Sequence, residues 1–391
     1  MLHPLPFLNK LHLKVLAPAR PRRTLAVRTR HDRYYSVARP EPFKILFFGR
    51  DEFSCTVFRE LYSARDVWQH ISIVTHPDEW VGRRRSKPSV SPLKDLGDEL
   101  EVPVVTIPPK PGYRKLPSLV NWPLPSPFSE PGNPRHLLLT ASFGRILPWS
   151  MLRNFGPDRR LNVHPSLLPD YRGPSPIQHT VFHRERQTGV SIIEMTRFTE
   201  GVDTGDIYGQ SAVRVPPDST FMSLRALLAD EGGKLLVSTL RSLLSDTPPV
   251  PRPQVPKGSP HSYPFAELVK TEDSHASFVH CSAADLVQRH RAFGHHKPLT
   301  TRLRIPKLVQ LHDPVALDAL DAPDKLPRAP GHAVYERKMD TVVVRCAGGS
   351  VLAVPRLKTQ DKNLISAKDW WNGVPDAWKE PEGTVRFSEF D

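Results

Sequence analysis

Asn162-Val163-His164-Pro165 is the stretch with the strongest chemical promise. Asn162 and His164 lie two residues apart in an otherwise apolar run that begins at Leu161. On a β-strand, side chains at i and i+2 share a face. Both polar groups therefore project one way while Leu161 and Val163 project the other. Pro165 ends the strand, so the pair is predicted at its carboxyl end, where open α/β sheets bind ligands. Further on comes Glu200-Gly201-Val202-Asp203-Thr204-Gly205-Asp206. Glycines on either side of Asp203 predict a tight loop that aims this carboxylate at a pocket, with Asp206 as a turn residue. An amide, an imidazole and a carboxylate are a sufficient set for acyl transfer. The amide and the imidazolium donate to a developing oxyanion. The carboxylate orients the imidazole and relays a proton.

These residues need a scaffold, and the hydrophobic pattern predicts one. Phe43 to Phe48 is a short apolar run closed by Gly49, as buried parallel strands read. Asp51 to Tyr62 has helical spacing, with Phe53, Val57, Phe58 and Leu61 on one face. A strand over Ile71–Thr75, a helix over Leu93–Leu100 and strands over Val102–Ile107, Leu137–Thr140 and Leu161–His164 follow. Strands alternating with helices argue a parallel α/β sheet of Rossmann-like pattern. The first strand-to-helix turn carries no GxGxxG, which argues against a dinucleotide site. Residues 108–134 read as an irregular Pro-rich excursion without functional signal. A long helix over Leu224–Leu244 closes the first domain, predicted to span 43–245. Residues 246–264 read as a Pro-rich linker. Beyond it, over 265–391, come a helix (Ala284–Phe293) and short strand-like runs punctuated by Gly and Pro. They predict a small β-barrel of OB-like type. Trp370 and Trp371 read as core anchors.

The net charge of +13 suggests a polyanionic partner. Much of it is local: residues 1–40 hold nine Lys or Arg and one acid, a net of +8. Leu and Val interleave with these cations, the composition of a mitochondrial transit peptide, and this predicts a matrix protein. A second basic group is Arg83-Arg84-Arg85-Ser86-Lys87. A third runs from Arg289 through Arg302 and Arg304 to Lys307 with no acid, and reads as a phosphate-facing side of the barrel. The three cysteines are scattered and form no CxxC pair, so neither a disulfide framework nor a metal site is expected. No apolar run approaches the roughly 20 residues needed to span a membrane.

Taken together, Asn162-x-His-Pro-Ser-Leu-Leu-Pro-x-Tyr-Arg-Gly-x-x-Pro, then Thr188-Gly189-Val190 and Val202-Asp203-Thr204-Gly205-Asp206, resembles the folate-dependent formyltransferases. Within that family it resembles most the branch whose acceptor is initiator methionyl-tRNA. Lys44 to Gly49 followed by Glu52-Phe53 is similar to that branch's opening strand. Thr75-x-Pro77-Asp78, Gly82-Arg83 and Ser91 to Lys94 are similar to its basic substrate loop. Arg291-Ala292-Phe293 and the run Leu357 to Gly373 are similar to its C-terminal domain. The resemblance implies catalytic roles for Asn162, His164 and Asp203. It implies a 10-formyltetrahydrofolate site lined by Ser166, Leu167, Leu168 and Pro169, and no metal. It implies a tRNA contact by Arg83, Arg84, Arg85 and Lys87, joined by Arg289, Arg302 and Arg304, in a monomeric enzyme. Two positions depart from the family: Phe143 stands where Tyr is usual, and Arg145 where Gln is usual. A small-amine acceptor, hydrolysis of the formyl-folate and a non-catalytic RNA-binding protein are the rival readings.

Overall fold

The computed structural model describes residues 41–390, apart from 82–85, 109–118, 120–121, 256–261 and 304–306. The predicted leader over 1–40, the Arg83-Arg84-Arg85 run and Arg304 lie outside the described residues. Strand β1 (Phe43–Gly49) leads into helix α1 (Glu52–Ser63), which Asp51 caps by accepting from the Ser54 N–H at 3.2 Å. Next come β2 (Trp68–Thr75), the hairpin strands β3 (Glu79–Val81) and β4 (Lys87–Ser89), α2 (Pro92–Glu99), β5 (Val104–Thr106) and β6 (His136–Ala141). The short helix α3 (Trp149–Leu152), β7 (Arg160–His164), α4 (Pro176–Phe182), β8 (Gln187–Glu194), β9 (Ile207–Arg214) and α5 (Phe221–Leu243) complete the first part.

Seven of these strands form one sheet, in the order β5-β2-β1-β6-β7-β8-β9. The first five are parallel, as the alternating pattern predicts. Strand β8 runs antiparallel to both β7 and β9, so one side of the sheet is mixed. The pleat divides β1 between two cores. Ile45 and Phe47 pack with α1 and α5 on one face, while Leu46 and Phe48 pack on the other. Helices α1 and α5 approach closely because Gly233 has no side chain: a Cβ there would stand 2.7 Å from the Cβ of Glu60.

The second face gives the irregular Pro-rich segment 108–134 a structural place. Leu119 and Phe128 are buried beside Leu46, Phe48 and Leu138, with Trp122 and Leu124 packed against them. The described part of the segment thus supplies apolar cover where a parallel sheet must be covered on both faces.

The C-terminal part starts with α6 (Ala283–Phe293), capped by Ser282 and Asp285 in a reciprocal box. Strands β10 (Leu299–Leu303), β11 (Leu308–His312), β12 (Val315–Leu317), β13 (His332–Glu336), β14 (Thr341–Arg345), β15 (Val351–Val354), β16 (Arg356–Thr359) and β17 (Ile365–Ser366) follow, then α7 (Ala367–Asn372) and β18 (Val385–Ser388). They form a nine-stranded sheet whose named pairs are antiparallel, ordered β12-β15-β14-β13-β18-β10-β11-β16-β17. Strands near opposite edges, β15 and β16, contribute Leu352, Val354 and Leu357 to one core with Trp370. The sheet therefore folds over itself in barrel fashion. Pro355 splits the single run expected over Val351–Leu357 into two strands. Among the described residues no helix is long and apolar enough to cross a membrane, and no cluster of three metal-ligating side chains occurs.

Candidate active site

Strand β7 presents its residues as the spacing predicts. Leu161 and Val163 enter the core beneath α5, and Asn162 and His164 face the opposite side. That side opens into a cavity of about 580 Å³ at the carboxyl ends of β1, β6 and β7. Asn162, His164 and Asp203 all line it.

Each of the three is held by a distinct device. Strand register places Thr140 of β6 beside Asn162, and the Thr140 hydroxyl donates to Asn162 Oδ1 at 2.6 Å. With Oδ1 engaged, the amide Nδ2 is left to donate into the cavity. His164 is only 4% exposed. Its Nε2 donates to the carbonyl of Tyr171 at 3.0 Å, so one proton of the ring is placed there and Nδ1 is the other edge. Nδ1 faces Asp203 Oδ2 at 3.6 Å, too far for a hydrogen bond and close enough for an ion pair once the ring is charged. Asp203 has φ +54°, in the left-handed region, between Gly201 at φ +112° and Gly205. A Cβ at Gly205 would lie 2.0 Å from the Glu194 carbonyl oxygen, so only glycine lets the loop seat on the end of β8. Asp203 Oδ2 also accepts from the Gly173 N–H at 3.1 Å, which fixes the carboxylate towards the histidine.

The rest of the cavity wall is largely apolar, with Phe143, Leu147 and Leu152 buried along it. Asp51 lies on the wall as well, its Oδ2 accepting from the Ser142 hydroxyl at 2.6 Å. Burial pushes this carboxyl above its ordinary range. Arg145 reaches the start of the Pro-rich segment, Nη1 donating to the Pro108 carbonyl at 3.4 Å. The longer side chain at this position thus accompanies that segment.

Family models match two stretches of the chain. One described as formyl transferase covers residues 133–240, and one described as formyl transferase, C-terminal domain, covers 268–375. The chain is 30% identical over 350 residues to the mitochondrial methionyl-tRNA formyltransferase of Rattus norvegicus, spanning 86% of this chain and 80% of that one. It is 30% identical to the methionyl-tRNA formyltransferase of Myxococcus xanthus, spanning 84% and 95%. The chain belongs to the methionyl-tRNA formyltransferase family. Its catalytic class is therefore that of a formyltransferase. Solved structures at low identity share its fold. The sugar 3N-formyl transferase WlaRD, solved with a formyl-tetrahydrofolate, superposes with a TM-score of 0.52 at 14% identity, over 83% of this chain and 100% of that one. HypX from Aquifex aeolicus, solved with tetrahydrofolic acid, gives 0.54 at 14% identity, over 90% of this chain and 51% of that larger one.

In this formyltransferase, not all of the expected site residues come together. Ser166, Leu167, Leu168 and Pro169 are not among the residues that line the cavity. Ser166 is fully buried, its hydroxyl donating to the Asp170 carbonyl at 2.7 Å. Leu168 packs with Ile193 and Ile207, and its N–H donates to Ser191 Oγ. The loop follows His164 and is tied to β8 through the Leu168 N–H, outside the cavity lining. Lys87 is exposed on the β3–β4 hairpin. Arg289 belongs to α6, where Nη1 donates to the Asp273 carbonyl at 3.0 Å and the guanidinium lies 5.2 Å over the ring of Phe182. Arg302 lies 4.7 Å over the ring of Phe390. Arg291, in the same basic run, is paired with Asp218 at 2.9 Å. Thr140 was missed from the sequence, since no local signal marks it as the partner of a residue 22 positions away.

Proposed function

We propose that this chain transfers the formyl group of 10-formyltetrahydrofolate to the α-amine of methionyl-tRNA, for translation initiation in the mitochondrial matrix. The observation that carries the reading is the convergence of Asn162, His164 and Asp203 on one cavity in a member of this family. The cavity falls within the 300–1,000 Å³ usual for small-molecule sites, and its apolar wall suits a flat heteroaromatic ring. The donor occupies this wall with its formyl carbon beside β7. The Ser166–Pro169 loop acts from behind, by holding the His164 end of the strand.

The neutral α-amine attacks the formyl carbon, forming a C–N bond and moving the carbonyl electron pair onto oxygen. Free α-amines titrate at about 7.7–8.0, so a neutral fraction is present near neutral pH. Asn162 Nδ2 and protonated His164 Nδ1 donate to the resulting oxyanion. Asp203 balances the charge on the ring and passes the amine proton towards the departing folate nitrogen. Collapse breaks the bond from the carbon to that nitrogen and releases tetrahydrofolate. Lys87 and the Arg83-Arg84-Arg85 run next to it, with Arg289, Arg302 and Arg304, attract the polyanionic acceptor.

The test is a formyl-transfer assay on protein beginning at residue 36, with 10-formyltetrahydrofolate and charged methionyl-tRNA. Formylated tRNA formed by the wild type, and formed at least about 10²-fold more slowly by Asp203→Ala, supports both substrate and site. Free formate, or a formylated small amine with no tRNA product, overturns the acceptor assignment. Acceptor binding that weakens steeply with salt is expected, since a tRNA releases many counterions.

A further inference from the structure

The segment read as a plain linker, residues 246–264, makes specific contacts with the site. Arg252 pairs with Ile207 at the start of β9 through two backbone bonds, at 2.9 and 3.0 Å. Further along, the Tyr171 N–H donates to the Pro264 carbonyl and the Ala266 N–H to the Arg172 carbonyl, both at 2.7 Å. The two loops, 171–175 beside His164 and 201–207 around Asp203, are thus both bonded to the described ends of this segment.

Gln254 lies between these anchors. Its Nε2 donates to the backbone carbonyls of Asp203 and Gly205, at 2.7 and 2.8 Å. Its Oε1 accepts from Arg172 Nε at 2.8 Å. One carboxamide therefore uses both its donor hydrogens on the acid loop and an acceptor site on the histidine-side loop.

We propose that Gln254 is a positioning residue for the catalytic carboxylate. This rests on the formyl-transfer reading above. Asp203 sits in a backbone conformation that side chains other than glycine rarely adopt, and such a residue persists only where its surroundings over-determine it. Gln254 supplies that constraint from outside the loop. It fixes the Asp203 carbonyl while the Gly173 N–H fixes the carboxylate. Releasing one end lets Oδ2 drift from His164 Nδ1, and an error of about 1 Å in such a constellation lowers turnover by about 10²-fold. A glutamate at this position keeps the acceptor for Arg172 and places a carboxylate against two carbonyl oxygens, so it offers no rescue.

The experiment compares Gln254→Ala and Gln254→Glu with the wild type, each also in an Asp203→Ala background. Both single variants are expected to lower kcat by about 10- to 100-fold, with KM for donor and acceptor within about threefold. In the Asp203→Ala background Gln254→Ala is expected to add no further loss, because the group it positions is gone. A kcat within twofold of wild type overturns the proposal. So does an equal loss in both backgrounds, the mark of general destabilisation. Hydrogen exchange gives a readout that needs no acceptor: in Gln254→Ala the amides of 200–207 exchange faster while those of β6 do not. Unchanged exchange there overturns the clamp. A wild type inactive on methionyl-tRNA overturns the functional reading alone.

Discussion

At the scale of single residues, the proposed roles separate groups that would touch substrate from groups that hold them. His164→Ala is expected to reduce turnover by about 10²-fold or more, the scale of a lost oxyanion donor. Steady-state kinetics that leave it within threefold of wild type sink the role. Thr140→Val is a finer test. The Thr140 hydroxyl bonds Asn162 Oδ1, so valine frees the amide to rotate and leaves a half-buried oxygen without its donor. A loss of about 1–2 kcal/mol of transition-state stabilisation, roughly 10-fold in kcat, is expected. In an Asn162→Ala background the same change should cost almost nothing; an undiminished loss there refutes the orienting role. The convergence of Asn162, His164 and Asp203 on one cavity was legible in the sequence because a period of two and a glycine-flanked acid are local patterns. Thr140 and Gln254 were not, since strand order and the path of a linker decide their neighbours and neither is a local property.

At the scale of elements, the buried face over β6 joins the Pro-rich segment to the sheet. Phe128 is fully buried with its ring 5.3 Å from that of His136 and 5.9 Å from that of His70. Phe128→Ala should cost about 3–5 kcal/mol of stability. A thermal or denaturant midpoint close to that of wild type would show that the segment is only loosely laid on. His136 is 1% exposed, and neither ring nitrogen has a hydrogen-bond partner among the described residues. Burial holds its pKa below the ordinary 6.5, followed in weight by the charge of Lys44. The sign follows from proton counts. Below pH 6.5 the unfolded chain binds the proton first, so stability falls with falling pH until the depressed folded value is passed. His136→Leu should flatten that fall, and acid titrations of the two proteins that run parallel would refute it. Most helices and the first five sheet strands were legible from apolar periodicity. Strands β8 and β9 were not, because Gly189, Gly209 and polar residues interrupt both. The covering role of 108–134 was hidden because its apolar residues are spaced by prolines and follow neither period.

At the scale of the whole molecule, the two parts share a core across the segment read as a linker. Val269, Ala292 and Phe293 follow the predicted linker, yet they belong to the core built under α1 and α5. The ring of Phe293 packs tilted against that of Phe182 of α4, with centroids 5.2 Å apart, and Gln288 Nε2 donates to the Val181 carbonyl. A chain truncated after residue 264 is therefore expected to melt well below the full-length protein, and the intact protein to unfold in one transition. Calorimetry that shows two separable transitions, or a truncated chain as stable as the whole, would refute that coupling. The charge pattern belongs to this scale too. Of the third basic run, Arg289 lies over the ring of Phe182 and Arg291 pairs with Asp218, both in the first part, contacts the sequence could not disclose because the partners lie far off in the chain.

The place of Phe293 also bears on how such enzymes can be recombined. A chimaera joined inside residues 246–264 would graft a foreign α6 onto the native catalytic core and lose the plug that Ala292 and Phe293 provide. A join placed after Phe293, before β10, would carry the native helix along and exchange only the sheet. The formyl-transferase half would then keep its own keystone, Phe293 against Phe182.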